Sequence, residues 1–421
     1  MKIWFVKIGE PLPTEQGARL LRTGLFAQYL AQKGHTVTWF TETFSHARKK
    51  HLYNKSQDIV CQNVNLCLIK VPGYKKNISL ARFKHHSVFA SGFLKKARRF
   101  SEKPDIIICS LPTIENAFAV CQFARENNIK FCLDIRDSWP DDMVSVVPKC
   151  LQIIAKLCLY PLYRKMSLVC REANFLMACS NSLLNYGLSF ASRQKTKNDY
   201  LMPLGYPSSD IFKTDLQKSL RYWSDLGVKE DHFIICFFGT LSRFRNLKTV
   251  IEAIKQNFSM LPIQLVICGE GDLFEQYKAQ AKGISSIIFP GWINAQQIQA
   301  LMLISNVGLC PYAKGWRNDF PNKYFEYFSA GLPVLSSVLG EIQTFIDDYN
   351  LGLTYDPDSI SSFSIALKQL YENQDKAKEM GDNALVQFNK RFRQDRVFEN
   401  AEKFLKTYLQ VSDTDKDLSS I

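Results

Sequence analysis

Short apolar runs, each followed by a loop and a helical stretch, recur along both halves of the chain, and this alternation constrains the fold more than any other feature. In the first half the runs occupy residues 3–8, 36–41, 105–109, 130–135 and 175–178. In the second half they occupy residues 233–238, 263–268, 287–289, 307–310 and 333–336. Strands that alternate with helices form parallel sheets covered on both faces. The sequence therefore predicts two doubly wound α/β domains in tandem, with a cleft between them.

The boundary between the domains is placed near residues 204–209, where Gly, Pro and Ser interrupt the alternation. A chain of 421 residues also exceeds the size of one ordinary core. We predict an N-terminal domain at residues 1–205 and a C-terminal domain at residues 206–390. A long helix at residues 391–410 is expected to pack back towards the N-terminal domain, and residues 411–421 are expected to form a flexible tail.

Basic residues are concentrated in the first half of the chain, whose formal net charge is +13 overall. Residues 48–99 contain thirteen Lys or Arg and one acid, a net charge of +12, and residues 143–171 contain five basic residues and no acid. Such a balance indicates an anionic partner: nucleic acid, anionic lipid or a phosphorylated substrate. The apolar residues among the basic ones of 143–171 suit a segment that lies on a membrane. An ordinary solvated face is the alternative for either stretch.

The spacing of the Cys and His residues indicates the cellular location of the protein and whether it has a metal site. No run of about 20 apolar residues is present, so no spanning helix is predicted. The twelve Cys form no Cys-x-x-Cys pair and most lie within apolar runs, which is typical of reduced cytoplasmic residues. The six His lack the spacing of zinc ligands, so no protein-bound metal and no other cofactor is expected. The expected location is the cytoplasm, at the inner face of the membrane.

The segment at residues 318–334 carries the clearest chemical signal. Asn318 or Asp319 is a good N-cap, and Pro321 is tolerated in a first turn, so a helix is predicted to start here. A helix N-terminus offers free N–H groups and a positive dipole end to a phosphate. Glu326 follows in a largely apolar helix and needs a partner, for which a vicinal diol is suitable. The alternative is that Glu326 is an ordinary surface residue.

Polar residues in the first domain indicate a second binding region. Arg19 and Arg22 are predicted in the first turns of a helix, where the dipole disfavours cations, so their placement indicates a nearby anion. Asp137 follows a predicted strand, and ligands bind at the carboxyl ends of such strands. It is a candidate for orienting or deprotonating an acceptor hydroxyl. The alternatives are arginines that point to solvent, and an Asp137 that caps a helix or pairs with Arg136.

The run from Pro321 to Val334 resembles a known signature. Its Pro-Asn-Lys, Glu-Tyr, Ala-Gly and Pro-Val elements look like the nucleotide-sugar signature of family 4 retaining glycosyltransferases, which have the GT-B fold. Gly-Glu-Pro-Leu-Pro at residues 9–13 is similar to their first loop, and residues 134–140 are similar to a segment of the bacterial surface-polysaccharide branch. The resemblance covers most of the chain. It implies an α/β structure of two doubly wound Rossmann-like domains that face a central cleft. The N-terminal domain would bind the acceptor and the C-terminal domain the nucleotide-sugar.

The resemblance implies roles for individual residues. Glu326 corresponds to the acid that binds the ribose hydroxyls of the donor. The family's other acid lies eight positions upstream, where this chain has Asn318, and the adjacent Asp319 is the favoured substitute for contacting the sugar. Arg245 stands at the position of a lysine that holds the diphosphate, and Arg243 replaces a missing arginine. The other donor-site candidates are a loop glycine, the residue beside the base and the start of the signature helix: Gly17, Trp292, Asn322 and Lys323.

The implied activity is transfer of a sugar, with retention, from a nucleotide carrier to an acceptor. Asp137, Asp319 and Arg245 are the catalytic candidates, and Arg19, Arg22, Arg136 and Asp137 are the acceptor-binding candidates. The expected donor is UDP-linked, with an N-acetylated hexosamine considered, and the expected acceptor is a lipid-linked or polysaccharide chain at an anionic membrane, as in lipopolysaccharide or exopolysaccharide synthesis. Two alternatives are a nucleotide-sugar epimerase of the same fold and a basic nucleic-acid-binding protein.

Overall fold

The computed structural model of the chain describes residues 1–15, 19–208, 216–315 and 320–418. Two compact units divide the chain. Unit 1 contains Met1–Pro203 and Phe398–Ile421, and unit 2 contains Leu204–Val397. Each unit is an α/β structure built on its own sheet.

Unit 1 contains an eight-stranded sheet in the order β10-β9-β8-β7-β1-β2-β6-β5, together with a small β3–β4 hairpin. All neighbours in the large sheet are parallel except β5, which pairs antiparallel with β6 at the edge. The strands are β1 (Lys2–Val6), β2 (Thr36–Glu42), β3 (Phe44–Ser45), β4 (Lys50–His51), β5 (Gln57–Cys61), β6 (Val64–Ile69), β7 (Ile106–Ser110), β8 (Lys130–Ile135), β9 (Phe175–Ala178) and β10 (Tyr200–Leu201).

The helices of unit 1 connect these parallel strands. They are α1 (Arg22–Gln32), α2 (Leu80–Ala97), α3 (Ile114–Glu126), α4 (Asp141–Ser145), α5 (Gln152–Cys158), α6 (Tyr160–Glu172) and α7 (Asn181–Ala191). Side-chain caps fix two starts: the Ser79 hydroxyl accepts from the Arg82 N–H, and the Ser180 hydroxyl accepts from the Leu183 N–H. Successive strands are added on one side of β1 up to β6 and on its other side from β7 onwards, so this unit has its switch point between β1 and β7.

Unit 2 contains a six-stranded parallel sheet in the order β13-β12-β11-β14-β15-β16, which is the strand order of the Rossmann fold. Its strands are β11 (Phe233–Phe238), β12 (Ile263–Cys268), β13 (Ile287–Gly291), β14 (Val307–Cys310), β15 (Val334–Ser336) and β16 (Gly352–Thr354). Its helices are α8 (Leu216–Asp225), α9 (Leu247–Ala253), α10 (Phe274–Gln280), α11 (Ala295–Ile304), α12 (Asn322–Ser329), α13 (Glu341–Tyr349), α14 (Ile360–Glu372) and α15 (Gln374–Gln387).

A final helix, α16 (Gln394–Leu418), begins in unit 2 and belongs to unit 1 from Phe398 onwards. Phe398 packs on Phe26, with ring centroids 5.1 Å apart, and Phe404 stacks on Tyr200 at 4.4 Å. The helix continues to Leu418, whereas the sequence analysis expected a flexible tail from residue 411. No Gly or Pro occurs between residues 394 and 418 to end it earlier.

Helix α12 is held on the sheet of unit 2 by a buried tyrosine. The Tyr327 hydroxyl lies 3.1 Å from the carbonyl oxygen of Cys236 on β11 and 3.2 Å from that of Leu309 on β14. Gly308 makes this contact possible, because a Cβ there would lie 2.3 Å from the Tyr327 ring. The Tyr324 hydroxyl adds a 2.6 Å hydrogen bond to the Ser336 hydroxyl on β15. These contacts fix the position of α12 over the middle of the sheet.

Of the sixteen strands among the described residues, ten were predicted from the sequence within a few residues of their observed bounds. The strands that the sequence analysis did not identify are short or edge strands, except for the internal β6: β3, β4, β5, β6, β10 and β16. Two of them, β5 and β6, lie in the stretch at residues 48–99, which was interpreted only by its net charge, although β6 itself contains no charged residue. Within the described ranges, no helix combines the length and apolar character needed to cross a bilayer.

The contact between Gly308 and Tyr327 gives a stability prediction. Gly308→Ala places a methyl group against the fully buried ring, so we expect a loss of about 1–3 kcal/mol, the usual cost of overpacking a core. The loss should shrink when Tyr327→Leu removes the ring, because neighbouring sites couple in a double-mutant cycle. Thermal unfolding midpoints of the four proteins measure this. Strictly additive shifts would contradict the contact.

Candidate functional site

The switch point of unit 2, between β11 and β14, is where a ligand of a doubly wound sheet is expected. Gly239 follows β11, Tyr312 follows β14, and α12 begins on the same side. The predicted helix is therefore present, but its N-cap is Pro321, with no side-chain cap, and neither Asn318 nor Asp319 occupies that position. Proline fixes an extended entry into the first turn, and the first N–H groups of α12 receive no side-chain cap.

Glu326 is buried and forms an ion pair with Lys323 one turn earlier on α12. The Nζ of Lys323 lies 3.0 Å from the Oε2 of Glu326, and the side chains are 13% and 8% exposed. The same ammonium lies 3.9 Å from the centroid of the Phe238 ring. The alternative that Glu326 is an ordinary surface residue is therefore wrong, because its side chain is buried.

Lys323 also lies beside the glycine that ends β11. A Cβ on Gly239 would lie 3.6 Å from the Nζ of Lys323, so the backbone of this loop is close to the ammonium group. Gly269, which follows β12, packs on the same loop: its Cβ would lie 2.0 Å from the Gly239 carbonyl oxygen, and its φ is +122°. The two loops can approach this closely only because both positions are glycine.

Arg245 approaches the switch point from the loop between β11 and α9. Its guanidinium carbon lies 3.8 Å from the centroid of the Tyr312 ring, and the backbones of the two residues form an isolated antiparallel bridge. The Tyr277 hydroxyl donates to the Arg245 carbonyl oxygen over 2.6 Å. Asn246 then caps α9 through the Thr249 N–H. The arginine is thereby held half-buried on an aromatic face, a favourable setting for a cation.

Electrostatic effects indicate that Lys323, Glu326 and Arg245 share one region. Burial raises the pKa of the Cys310 thiol at the end of β14, and the charges of Lys323 and Arg245 both act in the opposite direction. Burial likewise raises the pKa of Tyr312, with Arg245 opposing the shift and Glu326 reinforcing it. Two cations and one carboxylate therefore act on the same end of β14. Tyr312 was missed by the sequence analysis, although its place two residues after an apolar strand was a usable signal.

The remaining donor-site candidates are less closely grouped. Arg243 is exposed, and its guanidinium lies over the ring of its neighbour Phe244 at 5.0 Å. Trp292, after β13, is largely exposed, and Asn322 is exposed at the start of α12. Three further candidates, Gly17, Asn318 and Asp319, lie outside the described residues.

Unit 1 has a buried ionic network at its own switch point. Asp134, at the end of β8, pairs with Arg22 and with Arg136, whose Nε lies 2.6 Å from the carboxylate. Burial opposes ionisation of Asp134, but Arg136 and Arg22 hold its pKa well below the usual range. Arg136 also pairs with Glu10. Lys7 donates to the Leu111 carbonyl oxygen over 2.5 Å.

Burial, reinforced by the charge of Arg136, lowers the pKa of Lys7 to about 8. The anion near Arg22 that the sequence analysis inferred is therefore the protein's own Asp134, and the alternative of a solvent-facing Arg22 is wrong. Lys7 was missed because a lysine directly after a strand carries no distinctive pattern. Glu10 lies in the Gly-Glu-Pro-Leu-Pro loop at residues 9–13, but the sequence analysis assigned it no role.

Two acceptor-site candidates occupy more accessible positions. Helix α1 begins at Arg22, so Arg19 precedes it and is exposed, which corrects the prediction that both lie in its first turns. The extended Leu21 at the N-cap sets this start. Asp137 is exposed just after β8, and in the described part of the chain it neither caps a helix nor pairs with Arg136. Its charge nevertheless reaches Lys7, whose pKa it acts to raise.

Comparison with known proteins identifies the domain type. Residues 222–387, within unit 2, match the family model described as Glycosyl transferases group 1. D-rhamnosyltransferase WbpZ of Pseudomonas aeruginosa is 26% identical over 254 residues, 59% of this chain and 63% of that protein. O-antigen chain mannosyltransferase C of Escherichia coli is 22% identical over 229 residues, 54% of this chain and 59% of that protein. The chain thus spans less than two thirds of the length of the curated relatives it matches.

Structural similarity extends over nearly the whole chain. The crystal structure of Anabaena HepE in complex with UDP superposes with a TM-score of 0.69 and covers 97% of this chain and 100% of that one, at 14% identity. The prediction of an α/β GT-B fold with two Rossmann-like domains is thereby confirmed. The match to the glycosyl transferase model lies within the C-terminal domain that the sequence predicts at residues 206–390. The cleft between the domains stays a prediction.

Proposed function

We propose that this protein is a glycosyltransferase that moves a sugar from a UDP-linked donor onto an acceptor held at an anionic membrane. The observation that carries the proposal is the buried pair of Lys323 and Glu326 at the switch point of a Rossmann sheet. A carboxylate there suits a ribose diol, and a lysine beside a glycine loop suits a phosphate. Such a pair suits a ligand that carries both groups, as a nucleoside diphosphate does.

The proposed donor geometry follows from these contacts. Glu326 accepts hydrogen bonds from the two ribose hydroxyls, and Lys323, Arg245 and the first N–H groups of α12 face the diphosphate. Trp292 is proposed to pack on the base, Arg243 and Asn322 to add outer contacts, and Gly17, Asn318 and Asp319 to complete the sugar site. The complex of the structurally similar HepE with UDP supports a uridine nucleotide as the carrier.

The proposed reaction retains configuration at the anomeric carbon. The bond from that carbon to the diphosphate oxygen breaks while the acceptor oxygen forms the new bond on the same face, and Asp137 accepts the hydroxyl proton. Catalysis then consists of positioning the two substrates and stabilising the negative charge on the departing diphosphate. The cations that face the diphosphate supply this stabilisation without a protein-bound metal. Asp319 is proposed to contact the donor sugar, and Arg19 and the Arg136 region to contact the acceptor.

The proposed pathway is the synthesis of a bacterial surface polysaccharide. Its support is the naming of the relatives, of which one is an O-antigen chain mannosyltransferase and another a D-rhamnosyltransferase. All of these names describe sugar transfer, which favours this activity over an epimerase or a nucleic-acid-binding protein.

The proposed membrane contact is supported by an exposed apolar surface in unit 1. Helix α5 buries none of its residues, and Ile153, Leu157 and Ile154 are 74%, 69% and 57% exposed. Lys149 and Lys156 are exposed within the same short segment. Apolar side chains flanked by lysines suit the headgroup region of an anionic bilayer, where each basic residue adds about 1 kcal/mol of attraction. We place the protein at the inner face of the membrane, held by this segment of residues 146–160.

The donor proposal predicts that Glu326→Ala weakens UDP binding. Two hydrogen bonds to a charged acceptor contribute roughly 1.5–3 kcal/mol each before compensation, so we expect a loss of about ten- to a thousand-fold. Isothermal titration calorimetry with UDP measures it. Glu379→Ala, an exposed change in the same unit, is the matched control and should leave affinity unaltered. Equal affinities for the two variants would sink the assignment.

The catalytic proposal predicts that Arg245→Gln lowers kcat more than it raises KM, because the leaving-group charge grows towards the transition state. We expect kcat to fall by about ten- to a hundred-fold, the equivalent of one charge-assisted hydrogen bond. Steady-state kinetics of UDP release measure this, with Arg221→Gln, an exposed change on α8, as the control. Normal turnover in Arg245→Gln refutes the role.

The membrane proposal predicts that Ile153→Gln, Ile154→Gln and Leu157→Gln together abolish attachment. Each apolar side chain contributes up to about 1.5–3 kcal/mol when it is removed from water, so at least a tenfold loss of binding is expected. Flotation with liposomes of phosphatidylcholine, with and without phosphatidylglycerol, at low and high salt, measures it. Met260→Gln, Ile365→Gln and Val386→Gln, equally exposed in unit 2, are the control. If the unaltered protein does not bind anionic liposomes at low salt, the membrane proposal is wrong and a soluble acceptor is favoured.

A further inference from the structure

A second group of cations lies in unit 1, apart from the network around Asp134. Lys49 precedes β4, Tyr74 follows β6, Arg82 lies in the first turn of α2, and Trp139 follows β8. We call these four residues, together with His46 between β3 and β4, the Tyr74 cluster. Tyr74 and Trp139 follow the carboxyl ends of two parallel strands, the edge at which doubly wound sheets bind ligands.

Both cations of the cluster are held over aromatic faces. The Lys49 ammonium lies 4.7 Å from the centroid of Tyr74, and the Arg82 guanidinium lies 5.6 Å from the same ring and 4.9 Å from that of Trp139. Asn77 forms hydrogen bonds with both cations. Its side-chain oxygen accepts from Lys49 over 2.5 Å, and its backbone carbonyl oxygen accepts from Arg82 over 3.0 Å. Two basic side chains from different elements are thereby fixed on one small surface.

Two acidic residues near the cluster, Glu42 and Glu115, pair with histidines outside it. Glu42 is buried, pairs with His85 and accepts the Gly9 N–H over 2.9 Å. Glu115 pairs with His86 over 3.8 Å. Neither carboxylate forms an ion pair with Lys49 or Arg82 among the described contacts. The two cations therefore keep an excess of positive charge that a bound anion would offset.

His46 lies beside these two cations, and its pKa depends on their charge. Its Nδ1 is 2.5 Å from the Tyr74 hydroxyl and 3.3 Å from the Lys49 ammonium. Burial first, and then the charges of Lys49, Arg82, His85 and His86, lower the pKa of His46 to about 4. Burial and the charge of Arg82 also lower the pKa of Lys49, which Glu42 opposes. At neutral pH the ring is an uncharged partner next to two cations.

The backbone of Lys49 is strained in support of this arrangement. Its φ is +52°, in the left-handed region that non-glycine residues seldom occupy. Such strain persists only where the surroundings enforce it, and it concentrates at functional sites. Lys49 adopts this conformation in the β3–β4 hairpin loop, with its ammonium 4.7 Å from the centroid of the Tyr74 ring.

We propose that Lys49 and Arg82, with His46 beside them, form a subsite for a phosphate group of the acceptor. A guanidinium fork and an ammonium on adjacent elements match the several oxygens of a phosphate, and the aromatic faces beneath them exclude water from one side. The assignment of this phosphate to an acceptor rests on the proposed function. The binding of an anion at this subsite does not depend on that function. The subsite would hold the phosphate of the acceptor in unit 1 while unit 2 holds that of the donor.

The direct test follows the His46 imidazole by NMR of histidine-labelled protein during titration with inorganic pyrophosphate. The signal is assigned by its loss in His46→Gln. Bound anion offsets the charges of Lys49 and Arg82, so the titration of His46 should move to higher pH. The same response is expected in Glu326→Ala, which separates this subsite from the donor site of unit 2. A His46 signal that saturating pyrophosphate leaves unmoved, or that responds only when Glu326 is intact, overturns the proposal.

Charge-removing variants test the two cations individually. Lys49→Gln and Arg82→Gln should each raise the pyrophosphate concentration at the midpoint of the His46 response by about ten- to a hundred-fold. Lys84→Gln, an exposed change on the same helix as Arg82, should leave it unchanged. Arg82→Lys should recover part of the affinity, and thermal unfolding shows whether each variant keeps its fold. A midpoint that moves equally in Lys84→Gln assigns the effect to general surface charge and refutes the subsite.

A final arm distinguishes the source of the phosphate. Vesicles of phosphatidylglycerol in phosphatidylcholine replace pyrophosphate, with pure phosphatidylcholine as the control. A His46 response to pyrophosphate but not to vesicles supports a free or glycan-linked diphosphate. A response to the anionic vesicles that survives the triple change in α5 supports a lipid headgroup bound at the subsite itself. No response in either arm overturns the proposal even if UDP binding in unit 2 is intact.

Discussion

The position of the proposed donor site depends on one buried contact, the Tyr327 hydroxyl between the carbonyl oxygens of Cys236 and Leu309. It joins α12 to the two strands that flank the switch point, and Gly308 leaves room for the ring. Lys323 lies one turn earlier on the same helix and Glu326 directly precedes Tyr327, so the position of this ion pair follows from the contact. A shift of α12 by the width of a methyl group would move the ion pair as a unit.

The buried charged residues of the two units differ in how they are paired. In unit 1, Arg22 and Arg136 neutralise Asp134 within the protein, so this network stabilises the loops at the strand ends and leaves the exposed Asp137 beside them. In unit 2, two cations act on the end of β14 near a single carboxylate, Glu326. Removing a partner from a buried pair costs about 3–5 kcal/mol, which favours a structural role for Asp134. The two cations at the end of β14 suit an anionic ligand.

The sequence predicted the α/β class, the central strands and the signature helix, because long apolar runs and a motif of fixed spacing do not depend on distant contacts. It did not predict β5 and β6, since the stretch between residues 48 and 99 was interpreted only by its net charge, although β6 itself contains no charged residue. Arg22 was attributed to an external anion because its partner, Asp134, lies more than a hundred residues away in the chain. The stacking of Arg245 on Tyr312 and the sharing of Asn77 by Lys49 and Arg82 likewise appear only after folding.

The central claim is that unit 2 binds the nucleotide of a sugar donor at the end of β11 and at the start of α12. A crystal structure of the protein soaked with UDP tests it most directly. The account predicts density for the ribose with both hydroxyls within about 2.6–3.2 Å of the Glu326 carboxylate, and for the diphosphate beside Lys323 and Arg245. UDP bound at another place in the chain, with the pair of Lys323 and Glu326 unchanged, would contradict it.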